Sequence, residues 1–197
     1  DDGSFVVTTS KGTQHQAPVV MIAGGLGSFE PRRPLIDNLK NFEGKGIEYI
    51  VKEPESFLGK NLVISGGGDS ALDWAIYFAN ANSGSKPVTL IHRSDRFRAH
   101  KDSVEKAYEL QNEGKLNLIT HAEVTGLKGE DERLSEVEVC VENDEKITLA
   151  TDYWLPLFGL SPKLGPIGNW GLEIEKNAIV VDTFDYQTNI PGIFAVG

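Results

Sequence analysis

The sequence predicts an α/β fold: a parallel sheet with helices on its faces, built around one glycine-rich turn. Three observations carry this. The apolar stretch Asn61-Leu-Val-Ile-Ser65 runs straight into Gly66-Gly67-Gly68-Asp69-Ser70-Ala71, and the mostly apolar and aromatic residues from Leu72 to Asn80 suit a helix. A second strand, Val88–Ile91, is followed by a second helical stretch and a third strand, Leu116–Thr120. Strand, helix, strand, helix, strand is the alternation of a parallel sheet.

The glycine turn has the chemistry of a Rossmann-like dinucleotide site. Gly66 permits the tight turn, Gly68 lets backbone approach a pyrophosphate, and Ala71 lets the helix pack close to the sheet. The free N–H groups of the helix start would complete the phosphate cradle. A glycine pattern alone is a weak signal, and a turn in an unrelated α/β unit has the same look. The second strand adds to it. A site for NAD(H) usually ends that strand in an acidic residue for the ribose hydroxyls. Here the strand ends in His92-Arg93, with Arg96 and Arg98 close behind. Guanidinium groups at that place suit a 2′-phosphate, so the expected nucleotide is NADP(H).

Taken in order, residues 4–9 and 14–23 read as two strands joined by a turn at Ser10-Lys-Gly12, the second apolar enough for burial on both faces. Ala23-Gly24-Gly25-Leu26-Gly27 follows as a turn open to a ligand. Asn41–Gly46 reads as a flexible linker and Ile47–Val51 as a short strand. The first helix spans Asp69–Ala81, capped by Asp69 or Ser70; the second spans Asp102–Asn112, capped by Asp102 or Ser103 and stopped by Gly114. Ala122–Leu127, Leu134–Glu142 and Lys146–Ala150 follow as strands, and in the second Val137, Val139 and Val141 alternate with Glu136, Glu138 and Glu142, as in an antiparallel sheet with one wet face. Asp152–Leu157, Ile179–Asp182 and Ile193–Val196 complete the strands. Trp74 and Trp154 read as core. Trp170, in the loop Gly168-Asn-Trp-Gly171, is more open to a functional role, though packing fits it too.

Bulk composition narrows the function. The chain is 40% hydrophobic and 24% charged, with net charge −10. That balance argues against general affinity for nucleic acid or membrane. No run of about 18 apolar residues is present, so no transmembrane helix is expected. No signal peptide is visible at the start. Cys140 is the only cysteine; it excludes an internal disulfide, reads as a small strand residue, and fits a reducing compartment, with cytoplasmic placement expected. The basic run His92–Lys101 stands out in an acidic chain and points to an anionic ligand or partner. The start at Asp1, inside an apparent sheet, and the stop at Gly197, after an apolar strand, suggest part of a longer protein.

The combination Ala23-Gly24-Gly25, Gly66-Gly-Gly-Asp-Ser-Ala71, His92-Arg93…Phe97-Arg98-Ala99, Gly159-Leu-Ser161-Pro162 and Pro191-Gly-Ile-Phe-Ala-Val-Gly197 resembles the low-molecular-weight thioredoxin reductase fold, a two-dinucleotide flavoenzyme. The likeness spans essentially the whole chain. Thioredoxin reductases carry Cys-x-x-Cys shortly before the NADPH glycine turn, where this sequence has Ile50 and Glu53. The pattern is therefore similar to the sister branch, the thioredoxin-reductase-like ferredoxin–NADP⁺ reductases.

That resemblance implies an α/β chain with a Rossmann-like NADPH-binding domain of three-layer ββα/βαβ topology, flanked by parts of an interrupted FAD-binding domain. Residues 1–42 would end the first FAD-domain segment, 43–160 would be the NADP(H)-binding domain, and 161–197 the truncated return to the FAD domain. Gly66, Gly68, Asp69, Ser70 and Ala71 would hold the pyrophosphate, and His92, Arg93 and Arg98 the 2′-phosphate. Ser94 stands where relatives often have another arginine. Phe158 and Gly159 would lie near the nicotinamide half; Gly24, Gly25 and Gly197 would line the FAD side. The family's FAD fingerprint would lie upstream and the Asp that closes the FAD site beyond Gly197, so residues 1–197 alone are expected to hold FAD poorly.

The implied activity passes electrons between NADP(H) and ferredoxin through FAD, in a homodimer built mainly by the FAD domain. No catalytic acid, base or metal site is expected, since the cofactors carry the chemistry. Domain rotation is expected on hinges near Phe42–Gly46 and Phe158–Pro162, and Arg32, Arg33 and Lys40 are candidates for partner docking. Two other readings stay open: an NADPH reductase of flavodoxin or a quinone, and a non-catalytic NADP(H)-binding module.

Overall fold

A computed structural model describes residues 3–25, 28–82 and 86–196. In chain order the strands are β1 (Phe5–Thr8), β2 (Gln14–Ala17), β3 (Val20–Ile22) and β4 (Ser28–Pro31), followed by the short helix α1 (Leu39–Phe42). Then come β5 (Leu62–Ser65), α2 (Asp69–Ala81), β6 (Val88–Ile91), α3 (Lys101–Asn112) and β7 (Asn117–Ile119). The remainder is β8 (Glu123–Glu130), β9 (Arg133–Val141), β10 (Glu145–Ala150), β11 (Tyr153–Pro156), β12 (Leu160–Lys163), β13 (Ile174–Glu175), β14 (Ala178–Ile179) and β15 (Ile193–Ala195).

The chain divides into two compact units at Glu30/Pro31 and Gly159/Leu160. The sequence places its first boundary later, after residue 42; here Pro31–Phe42 belongs to the larger unit, where Leu39 is buried and Ile36 and Phe42 pack against the core.

The larger unit has three layers. Its centre is a parallel sheet in the order β11-β5-β6-β7. Strand side chains alternate between faces, and the core divides accordingly. Leu62, Ile64, Val88, Leu90, Leu118 and Leu155 face α2 and α3. Val63, Ile91 and Trp154 face the antiparallel sheet β8–β9–β10, whose Leu127, Leu134, Val137 and Val139 close the second core. The three-layer expectation holds. Helices cover only one face, however; an antiparallel sheet covers the other. Helix α2 buries Ala71, Leu72, Ala75, Phe78 and Ala79, the stripe a 3.6-residue period places on one side. Trp74 is half-buried and stacks on Phe78, their ring centroids 5.6 Å apart. Cys140 lies on the middle strand of the antiparallel sheet, half-buried and free.

Several local expectations change. Ile47–Val51 forms no strand: only Ile47 pairs, in isolated bridges to Glu43 and Trp154. The backbone around it is set by Gly44 and Gly46 at φ 72° and 120°, and a Cβ on Gly46 would lie 3.2 Å from the Asp152 carbonyl oxygen. Phe42–Gly46 is no loose crossing either. The Phe42 carbonyl accepts from Lys45 and Ile47, the Lys45 carbonyl from Leu134, and the Gly46 carbonyl from Trp154. His100, not Asp102 or Ser103, caps α3, its Nδ1 accepting the Asp102 N–H at 3.4 Å. Gly114, at φ 71°, follows the helix end as expected.

The smaller unit is made of two-stranded pieces: the antiparallel hairpins β1–β2 and β13–β14, the pair β4–β12, and the parallel pair β3–β15. The predicted strand 14–23 divides between β2 and β3 at Pro18, which has no N–H to donate. It is not buried on both faces: Val19 and Met21 are exposed, because β15 is the only neighbour of β3 among the described residues. The 14–23 and 179–182 stretches thus give shorter strands than their apolar runs suggest. Leu26, Gly27, residues 83–85 of the α2–β6 loop and Gly197 lie outside the described residues.

Candidate functional site: a glycine turn held against an arginine loop

The site lies at the carboxyl end of the parallel sheet, where open α/β folds place their ligands. Gly66 leaves β5 at φ 151°. A Cβ on it would sit 2.6 Å from the Leu157 carbonyl oxygen, at the end of β11, and 2.9 Å from the Ala71 Cβ. Only glycine fits here, and Ala71, fully buried, fits for the same reason. Gly68 behaves differently. It is the N-cap of α2 at φ −101°, and a Cβ on it would meet nothing within 4 Å. Neither backbone conformation nor protein packing demands glycine at 68; the space beside it is open.

No side chain caps α2. The sequence expectation that Asp69 or Ser70 does so is corrected: the Asp69 carboxylate turns away and accepts the His100 N–H at 2.7 Å. The start of α2 thus keeps its partial positive charge without a side-chain partner.

Beyond β6, residues 92–100 fold back over the turn. The Gly67 carbonyl accepts from the N–H groups of Arg98 at 2.7 Å and Ala99 at 3.2 Å. His92 Nε2 lies 3.1 Å from the Arg96 carbonyl oxygen. A carbonyl only accepts, so Nε2 carries the proton. The imidazole packs on Phe97 with centroids 4.8 Å apart. Burial holds the His92 pKa below its usual value; the Arg96 carbonyl opposes this, and the charges of Arg93 and Arg98 add to it. Arg93, Arg96 and Arg98 are exposed. None of the ion pairs among the described residues involves them. Three guanidinium groups outside these ion pairs leave a local concentration of positive charge in a chain of net charge −10.

The structure thus brings Gly66, Gly68, Asp69, Ser70, Ala71, His92, Arg93 and Arg98 to one end of the sheet. Phe158 and Gly159 follow Leu157 there; Phe158 packs against the second core, and Gly159, at φ 87°, accepts the Arg32 N–H at 3.1 Å. Gly24 and Gly25 belong to the smaller unit. They border a cleft of about 580 Å³ also lined by Ile22, Leu164, Ala195 and Val196. Arg33, a candidate docking residue, is engaged within its own unit: its Nε donates to Glu43 at 2.8 Å, and its guanidinium lies 5.4 Å from the Tyr49 ring centroid. Tyr49 donates to the same Glu43 oxygen at 2.7 Å, a bond that holds the Glu43 pKa below its usual value.

Sequence reasoning passed over Gly67 and Leu157, the two groups that shape the turn from behind. The run of three glycines was the available signal for the first; the second depends on β11 lying beside β5.

A strand–glycine turn–helix unit in this three-layer setting defines a dinucleotide oxidoreductase fold. The pyridine nucleotide-disulphide oxidoreductase family matches residues 1–197, and the chain belongs to that family. It is 57% identical over 202 residues to a ferredoxin–NADP reductase 2 of Christiangramia forsetii, and 58% identical over 198 residues to a ferredoxin–NADP reductase of Flavobacterium johnsoniae. Each match covers all of this chain and 55% of the relative. The chain therefore spans about half the length of the curated relatives it matches. Among solved structures it superposes on Lactococcus lactis thioredoxin reductase with a TM-score of 0.79 and 27% identity, over all of this chain and 62% of that one. It also superposes on the bacillithiol disulfide reductase of Staphylococcus aureus with a TM-score of 0.80 and 22% identity, over all of this chain and 58% of that one, a likeness of fold.

Proposed function

We propose that the intact protein is an NADPH-dependent flavoprotein oxidoreductase, a ferredoxin–NADP⁺ reductase that passes electrons between NADP(H) and ferredoxin through FAD. The observation that carries the nucleotide assignment is the unpaired arginine loop held against an uncapped helix start. The names of the relatives support the ferredoxin assignment. Thiol–disulfide chemistry through a Cys-x-x-Cys pair has no support in these residues: Cys140 is the only cysteine.

The residues fit NADP(H). Gly66, Gly68, Ser70 and Ala71 would hold the pyrophosphate through backbone and helix dipole, and Arg93 and Arg98, beside His92, the 2′-phosphate. Phe158 and Gly159 would flank the nicotinamide half and exclude water there. The apolar cleft bordered by Gly24 and Gly25 fits part of an FAD; Gly197, expected beside it, lies outside the described residues. When bound, nicotinamide and flavin supply the hydride and single-electron chemistry; this chain binds, orients and shields. Among the described residues no helix is long and apolar enough to cross a membrane, and the proposal includes a cytoplasmic homodimer built by the FAD domain.

The test follows NADPH oxidation by the intact, FAD-loaded protein with ferredoxin as acceptor, beside a thioredoxin-linked disulfide assay. Ferredoxin-dependent turnover without disulfide reduction is expected. Turnover only with flavodoxin or a quinone would move the acceptor. Tight NADPH binding without turnover on any of them would leave an NADP(H)-binding module.

A further inference from the structure

The Asp69 side chain has no attractive role toward a pyrophosphate. A carboxylate at neutral pH only accepts hydrogen bonds, and so does a pyrophosphate. Its position at the first residue of α2 would set like charges near each other. The structure gives that carboxylate another partner. Asp69 Oδ1 accepts the His100 N–H at 2.7 Å, across 31 residues of sequence. Two residues before Asp69, the Gly67 carbonyl holds Arg98 and Ala99. His92 holds the Arg96 carbonyl. The arginine loop is thereby fastened to the glycine turn on both sides of Arg98, and Asp69 makes the outermost tie.

We propose that Asp69 is a positioning residue for nucleotide choice: by holding His100 it fixes the reach of the arginine loop, and so sets how well a 2′-phosphate is told from a 2′-hydroxyl. The inference rests on the NADP(H) reading above. It assigns Asp69 no contact of its side chain with the nucleotide.

The variants separate this role from others. Asp69→Ala removes the tie. Asp69→Asn keeps an oxygen that accepts the same N–H while removing the charge. His100→Pro removes the donor at a residue whose φ of −56° suits proline and leaves Asp69 in place, though it also removes the imidazole that caps α3. Ser103→Ala is the control; it deletes only the 3.3 Å bond to Asp73, elsewhere between α2 and α3. Dissociation constants for NADP⁺ and NAD⁺ are measured on the intact protein by calorimetry, with hydrogen exchange of the residue-100 amide wherever that residue keeps its N–H.

Asp69→Ala and His100→Pro are expected to narrow the NADP⁺-over-NAD⁺ preference by about five- to tenfold, the scale of one lost hydrogen bond. Asp69→Asn and Ser103→Ala should keep the preference within about twofold. Asp69→Ala should also speed His100 exchange. An unchanged preference in Asp69→Ala, or an equal loss of both nucleotides, overturns the proposal. If one tie-breaking variant does not fold, the other decides. A parent protein that binds NADP⁺ and NAD⁺ equally would overturn the nucleotide assignment itself.

Discussion

The imidazole of His92 fills the space that a side chain on Gly67 would need; a Cβ built there lands among the ring atoms. Gly68, the next residue, faces open space. The two neighbours should therefore respond oppositely to alanine. Gly67→Ala is expected to cost about 1–3 kcal/mol by overpacking. Gly68→Ala should cost about 1 kcal/mol or less, yet weaken NADP⁺ binding at least about tenfold if a pyrophosphate approaches there. Urea unfolding and nucleotide titration of both variants check the contrast.

The buried Trp154 indole donates to Ser65 Oγ at 2.9 Å, tying β11 to β5 beneath the turn. Both residues are buried, so no water replaces a lost partner. Ser65→Ala should cost about 1–3 kcal/mol, the penalty of a buried donor without an acceptor. Ser65→Thr retains the hydroxyl and should cost less. Chemical denaturation of both variants measures the difference.

Arg93 and Arg98 are the test of the 2′-phosphate site. Charged hydrogen bonds from them should favour NADP⁺ over NAD⁺ by about 2–4 kcal/mol. Arg93→Ala should remove most of that gap and leave NAD⁺ affinity nearly unchanged. Equal affinity of the parent protein for the two nucleotides would remove the assignment.

His92 gives the site a pH dependence of definite sign. Its folded pKa lies below its ordinary value of 6.5, chiefly through burial. The unfolded chain therefore binds the proton more readily. The contribution to stability is complete above about pH 6.5 and is lost as pH falls toward the folded value. Glu43 acts lower, its contribution being lost only as pH falls below its ordinary value of 4.5. Stability should fall between pH 7.5 and 5.5, and His92→Gln, whose amide can donate in place of Nε2, should flatten that fall. An NMR titration of His92 showing an ordinary pKa would contradict it.

Most of the central sheet was legible because its signals are local. An apolar strand, a glycine turn and an apolar helix follow one another within residues 61–81, and the arginines follow the next strand directly. Other features depend on distant chain. Ile47 pairs only through isolated bridges to Glu43 and Trp154, and its apolar neighbours make no strand. His100, whose N–H is held by Asp69 across 31 residues, caps α3 in place of Asp102. The phosphate-side role read for Asp69 came from motif position; its bond to His100 spans the whole of α2 and β6. The expected hinge at Phe42–Gly46 is closed by Leu134 and Trp154, neither of which is near in sequence.

The sheet order also dictates when the turn can take its final shape. Strand β6 follows β5 closely, but β11 reaches β5 only after the whole antiparallel layer has been made, with Trp154 and Ser65 standing 89 residues apart. Closing so long a loop is the slow kind of step in folding. On a ribosome, β5, α2 and β6 emerge well before the Leu157 carbonyl that walls in Gly66. Capture of the proposed nucleotide would therefore be a late event in the life of the nascent chain, and β5 must wait with one edge unpaired until the chain past residue 156 has emerged. That interval is when this domain is most exposed to misassociation with other strands.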